Sequence, residues 1–217
     1  ALLNGVKKCV LISTDKACQP VNVYGSSKFI AERMFTNYDY NSTNTIFSSV
    51  RYGNVIASRG SFLPLWVSLI KKQKPISVTS LEMTRFLFTL DDAVSTVLKS
   101  VEHAEGGEVF IPNISSFDMR TILVTLEKLL DIDFKYTVTG LRPGEKLHED
   151  MLAVTELPYT FIPPDTDLLS VRPQYTNRSH SQDWKKYQGK EFNSSLHINT
   201  DISHLQELIT RGIKESN

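Results

Sequence analysis

Tyr24 and Lys28 lie four residues apart in NVYGSSKF. On a helix that spacing puts both side chains on one face, with β-carbons about 5–6 Å apart. An ammonium held beside a phenol favours the phenolate, so the pair offers a base for chemistry near neutral pH. Just upstream, Ser13 and Thr14 supply hydroxyls, and Asp15 and Lys16 supply a carboxyl beside an amine. A bare Tyr-x-x-x-Lys also occurs on many solvated helix faces, and Asp–Lys neighbours sit in many exposed turns. The elements that hold these residues decide between the two readings.

The run from Cys9 to Ser13 is continuously apolar, as expected for a strand buried on both faces of a parallel sheet. It ends at Thr14 and Asp15, where such sheets place ligands. A helix is predicted from Val23 or Tyr24 to about Tyr38, with Phe29, Ile30, Met34 and Phe35 at helical spacing and Pro20 in the preceding loop. Thr45 to Val55 (TIFSSVRYGNV) reads as a second strand, followed by the glycine turn ASRGS. Together these make a right-handed βαβ unit, with the tyrosine at its crossover.

Beyond it the spacing predicts a helix over Phe62–Lys72, a strand over Pro75–Val78 and a helix over Leu90–His103 led by Asp91 and Asp92. GGEVFIP is a glycine turn into a strand, Thr121–Leu130 a helix and Phe134–Thr139 a strand. LRPGEKLHEDM is expected to turn into a helix whose His148 and Glu149 cap or pack. After about residue 155 the chain becomes polar and proline-bearing, up to a last helix over Ile202–Lys214. No internal repeat or low-complexity tract occurs.

Composition narrows the function classes. A chain of 217 residues, 41% hydrophobic and 22% charged, is ordinary for a globular protein. Lys plus Arg and Asp plus Glu balance at 24 each, so no net field draws it to nucleic acid or an anionic membrane, and any anion site must be local. No apolar run approaches the roughly 20 residues of a membrane span. Cys9 and Cys18 lack metal-ligand spacing; they read as reduced thiols, with no metal site expected. The sequons at Asn41, Asn113, Asn177 and Asn193 then read as chance. ALLNGVKK looks like the last turn of a helix, so the chain is expected to start inside a domain.

The string STDKA-x-x-P-x-N-x-Y-G-x-S/T-K resembles the extended short-chain dehydrogenase/reductase family, in particular the nucleotide-sugar 4,6-dehydratases of polysaccharide biosynthesis. It is most similar to the inverting, carbon-5-epimerising branch that acts on UDP-N-acetylglucosamine. Supporting segments follow in family order: RYGNVIASRGSFLPLW (51–66), MTRFLFTLDDAV (83–94) and LRPGEKLHE (141–149). The resemblance covers about residues 1–155. It implies an α/β fold: the C-terminal part of a Rossmann-type doubly wound parallel sheet (1–60), a smaller substrate-binding region (61–155) and a C-terminal extension (156–217).

The resemblance also implies roles. Tyr24 takes the proton of the sugar 4-hydroxyl, Lys28 holds the cofactor ribose and supports Tyr24, and Thr14 hydrogen-bonds the reacting hydroxyl. Lys16 is the base at carbon 5, and Asp15 is the acid that releases the carbon-6 oxygen as water. Cofactor contacts are expected from Ser13, Tyr24, Lys28, Tyr52 and Asn54, and substrate contacts from Asn54, Arg59, Ser61, Arg85, Arg142 and Glu145. Arginine suits the diphosphate because its fork binds two oxygens. Arg51, within a strand, reads as structural.

No glycine-rich phosphate turn occurs in these residues. The expectation is therefore the C-terminal portion of a cytoplasmic lyase that retains and recycles NADP (or NAD), acts on a UDP-sugar and forms a homo-oligomer when full length. The alternatives are a nucleotide-sugar 4-epimerase of the same superfamily, with no use for Asp15–Lys16, and a truncated nucleotide-sugar-binding fragment without turnover.

Overall fold

The computed structural model describes residues 1–42 and 44–215; Thr43, the last residue of the first sequon, lies outside them. Besides a two-residue strand at Phe192–Asn193, the described residues form twelve strands and five helices. In chain order they are β1 (Lys8–Ile12), α1 (Val23–Asn41), β2 (Ile46–Val50), β3 (Asn54–Val55), α2 (Phe62–Lys71), β4 (Ile76–Val78), β5 (Thr84–Phe88) and α3 (Leu90–His103). Then come β6 (Val109–Ile111), β7 (Ser116–Asp118), α4 (Met119–Leu130), β8 (Tyr136–Val138), β9 (Asp150–Leu152), β10 (Thr160–Ile162), β11 (Leu169–Val171), β12 (Lys185–Lys186) and α5 (Ile202–Glu215). They form two compact units, each assembled from three separated stretches: 1–52, 94–113 and 150–192, and 53–93, 114–149 and 193–217.

The first unit is built on a sheet of order β1-β2-β6-β11-β10-β12. β1, β2 and β6 run parallel, with Lys8 opposite Ile46 and Ser49 opposite Val109. β11 and β10 add to it antiparallel. The polar segment after residue 155 thus supplies strands to this sheet. A core of Val50, Phe110, Ala104, Leu168 and Trp184 lies against it. The register of α1 differs from what its apolar spacing suggests: Gly25, Glu32 and Asp39 are the buried positions, while Phe29, Ile30 and Met34 are exposed. The buried acids are bonded rather than apolar: Asp39 accepts from Phe47 N (2.9 Å) and Arg178 Nε (2.9 Å). β1 is half-buried instead of covered on both faces, because it is an edge strand of this sheet.

The second unit carries the larger apolar cluster, in which Phe117, Ile122, Leu126, Ile70, Leu205 and Ile209 are fully buried. β3, β5 and β7 pair side by side, β4 pairs with β8, and Asp118 caps α4 by accepting from Thr121 N at 2.6 Å. Two expected elements are corrected here. The single strand over Thr45–Val55 is two strands in different sheets, β2 and β3. A β-carbon at Gly53 would stand 2.6 Å from Phe86 Cβ, so only glycine permits the backbone approach at the break. The helix expected after LRPGEKL is the strand β9, because a short apolar run has no intrinsic period strong enough to choose. His148 does pack: its Nδ1 lies 2.8 Å from Thr84 Oγ1.

His180 pins residues of the C-terminal stretch within the first unit, with Nε2 3.0 Å from the Gly106 carbonyl and 3.2 Å from Glu108 Oε1. Burial disfavours the imidazolium, but the hydrogen bond and charge of Glu108 outweigh it, and the His180 pKa is raised. A raised folded-state pKa stabilises fully below the unfolded value of about 6.5, and the gain is lost as pH rises through the folded value. Thermal unfolding should therefore show Tm falling as pH rises across that window. His180→Gln should flatten this part of the profile.

Candidate active site

The strand end and the loop after it are held by backbone bonds. Ser13 N donates to the Val50 carbonyl (2.7 Å) and Asp15 N to the Tyr52 carbonyl (2.6 Å), extending the β1–β2 ladder past the last strand residue. Thr14 caps the 3-10 turn Asp15–Ala17 through its side-chain oxygen. Ser13, Thr14 and Asp15 are all buried. Thr14 Oγ1 and Lys16 Nζ both donate to Asp15 Oδ1, each at 2.9 Å. Asp15 Oδ2 is buried with no hydrogen-bond partner among the described residues. An unpaired buried carboxylate oxygen is costly, and in a folded protein it needs a reason.

Asn22 starts α1 by accepting from Gly25 N at 2.8 Å. A β-carbon on Gly25 would fall 2.3 Å from the Lys16 carbonyl oxygen, so the first helical turn rests directly on the loop backbone. That contact sets Tyr24 and Lys28 beside the Asp15–Lys16 turn. Lys28 Nζ donates to the Ile12 carbonyl at 3.2 Å, tying the helix to the end of β1 with one of its three donors. The Tyr24 side chain is 54% exposed. At the end of β2, burial pushes the Tyr52 phenol up to about 12, so it stays neutral.

The remaining predicted residues belong to the second unit. Asn54 opens β3 opposite Leu87, and Ser61 precedes α2 without capping it. Asn54 Oδ1 and Ser61 Oγ are both buried without a hydrogen-bond partner among the described residues. The turn between β3 and α2 passes through left-handed backbone at Ala57 (φ 58°) and Gly60 (φ 78°), with Arg59 exposed between them. Arg142 is exposed, and its backbone N–H donates to Glu145 Oε2 at 3.1 Å in the Arg-Pro-Gly-Glu turn. Arg85 lies deeper than a diphosphate contact was expected to. Its guanidinium donates to the carbonyls of Thr84 (2.7 Å), Lys146 (3.0 Å) and Leu147 (3.2 Å), so here it shapes the 146–149 loop.

Sequence reading missed a cluster under the loop. Glu32 accepts from Ser13 Oγ at 2.5 Å and from Arg51, which also binds Glu156. The only signal for Glu32 was its place one turn beyond Lys28 on the same face; nothing local points to Glu156, 105 positions from Arg51.

Parallel strands crossed over by helices, with a Tyr–Lys helix head seated on the loop at a strand end, define a Rossmann-type dehydrogenase/reductase fold. Residues 1–161 match the family model described as "Polysaccharide biosynthesis protein", and the chain belongs to that family. It is 42% identical over 161 residues to the UDP-N-acetylglucosamine 4,6-dehydratase (inverting) of Campylobacter jejuni, covering 73% of this chain and 47% of that protein. A UDP-glucose 4-epimerase of Rickettsia canadensis is 37% identical over 159 residues, covering 72% and 47%. The X-ray structure of Pen from Bacillus thuringiensis superposes with a TM-score of 0.85 at 32% identity, over 97% of this chain and 63% of that one. The chain spans about half the length of the curated relatives it matches.

Gly25→Ala should lower stability by about 1–3 kcal/mol, since the added methyl meets a backbone oxygen that has no rotamer to change. Denaturant unfolding of the variant against the parent chain measures it.

Proposed function

We propose that this chain carries the acid–base machinery of a nucleotide-sugar 4,6-dehydratase, a lyase acting on a UDP-sugar and most similar to the enzymes that process UDP-N-acetylglucosamine with inversion at carbon 5. The reading includes NADP (or NAD) as cofactor, a cytoplasmic location and a homo-oligomeric full-length form. A nicotinamide dinucleotide, when bound, supplies a hydride acceptor that later gives the hydride back. Tyr24, Lys28 and Ser13 would hold such a group: Lys28 is tied to the end of β1 by one donor and has others for a ribose, and Tyr24, half-exposed at the head of α1, is open to a reacting hydroxyl.

In this reading Tyr24 accepts the proton of the 4-hydroxyl while Thr14 orients that oxygen. The resulting 4-keto group acidifies the carbon-5 hydrogen, which Lys16 removes. Asp15 delivers a proton to the carbon-6 oxygen, which departs as water, leaving a double bond between carbons 5 and 6. Asn54, Arg59, Ser61, Arg85, Arg142 and Glu145 would hold the nucleotide sugar. The observation that carries the proposal is the Asp15–Lys16 pair, whose carboxyl is fully buried and keeps one oxygen without a hydrogen-bond partner among the described residues. An ordinary exposed turn pair would have both oxygens in water.

The test uses a full-length form incubated with UDP-N-acetylglucosamine and NADP, read by mass spectrometry for loss of one water. Asp15→Asn and Lys16→Ala should each lower dehydration by about 10²-fold or more while leaving the initial oxidation at carbon 4 detectable; Tyr24→Phe should abolish both. An isomeric product of unchanged mass would instead identify a 4-epimerase. Binding of UDP without turnover would identify a nucleotide-sugar-binding protein.

A further inference from the structure

We propose that Glu32, Arg51 and Glu156 are positioning residues: a buried clamp that fixes the strand end carrying Thr14, Asp15 and Lys16 against the helix carrying Tyr24 and Lys28. What the positioned groups do rests on the function proposed above. The clamp itself rests on geometry.

Arg51 is 1% exposed, and each of its five N–H donors has an acceptor. Nε and Nη2 fork onto the Glu32 carboxylate at 3.2 and 2.8 Å. Nη1 and Nη2 reach Glu156 at 2.9 and 3.0 Å, and Nη1 also donates to the Met151 carbonyl at 2.7 Å. Glu32 passes the connection on to Ser13 Oγ, the residue before Thr14. Glu156 passes it to the Cys18 thiol at 3.8 Å, on the far side of Lys16, and to Ala153 N at 3.0 Å. The turn that carries the elimination pair is therefore gripped at both ends by carboxylates sharing one guanidinium. Burial works against the charge on Arg51, and the two carboxylates outweigh it.

Stability alone does not account for this arrangement. A buried ion pair roughly breaks even against well-packed apolar residues of the same volume, because desolvation offsets the attraction. A planar fork does supply something apolar packing lacks, namely a fixed direction at each carboxylate. On one side the loop borders open space. A cavity of about 820 Å³ is bordered by Ala17, Cys18, Arg51 and Glu156, and the Glu156 side chain keeps 17% of its surface exposed. With space on that side, the hydrogen bonds hold the loop.

The first test measures backbone amide exchange by mass spectrometry on this chain, comparing the parent with Glu156→Gln and with Ser13→Ala, a milder variant that removes only the hydroxyl link. Exchange in residues 13–18 should quicken by about tenfold or more, while helix α5 in the other unit stays as protected as in the parent. Unchanged exchange in 13–18, or an increase spread evenly through the chain, overturns the clamp. The second test is steady-state dehydration by a full-length form. Glu156→Gln should lower kcat by about 10- to 100-fold with KM within about twofold, and Arg51→Lys, which keeps the charge but loses the fork, should not recover it. A parental kcat in Glu156→Gln also overturns the proposal. A parent enzyme that releases no water overturns the dehydratase reading, and the clamp then stands or falls on amide exchange.

Discussion

The chemistry of the first unit depends on a backbone-to-backbone approach: the first turn of α1 lies on the Lys16 carbonyl at a separation that no β-carbon would tolerate. Close approach of this kind is what glycine is for. It lets a helix begin almost on top of the loop it follows, so that the backbone carrying Tyr24 and Lys28 starts directly beside the turn carrying Asp15 and Lys16. The Asn22 cap then fixes where the helix starts, and with it the phase of Tyr24 and Lys28 around the helix axis.

A second theme is how the molecule distributes unsatisfied polar atoms. Some buried polar groups of the first unit are well served: Asp39 has Arg178 and a backbone N–H, and Glu108 accepts from the backbone of Glu105 and Gly106. Asp15 Oδ2, Asn54 Oδ1 and Ser61 Oγ, from three residues that the motifs single out, are buried with no hydrogen-bond partner among the described residues, as are Ser48 Oγ, Ser170 Oγ and Arg172 Nε outside the motifs. Folding tolerates such groups at a cost of roughly 1–3 kcal/mol each, and sites that bind polar ligands are where that cost recurs.

Much of this was legible in the sequence, for identifiable reasons. Helices with a dense apolar stripe or strong end signals, such as α2, α3 and α5, fall within a residue or so of the expected bounds. The Ser13–Lys16 turn and the Tyr24–Lys28 pair could be singled out as candidates because their residues are neighbours in the chain. What escaped depends on distance. α1 buries charged residues rather than its apolar ones, a choice dictated by Arg51 and Arg178 from remote segments. Arg85 sits in a motif that suggests phosphate contact; two of its three carbonyl acceptors lie some 60 positions away, a partnership no local pattern encodes. The strand at Asp150–Leu152 is likewise an outcome of tertiary context, since its apolar run is too short to declare a period.

The interleaving of the two units bears on how the polypeptide matures as it is synthesised. The first unit needs β10 and β11 to finish its sheet, and the second needs α5 to close its apolar cluster. Neither can seal its interior until nearly all of these residues have left the ribosome. Long-range closure of this sort slows folding and keeps apolar surface open to chaperones for longer. A stop codon that removes only residues 193–217 would therefore damage the second unit directly, and one placed before residue 160 would leave both of them open.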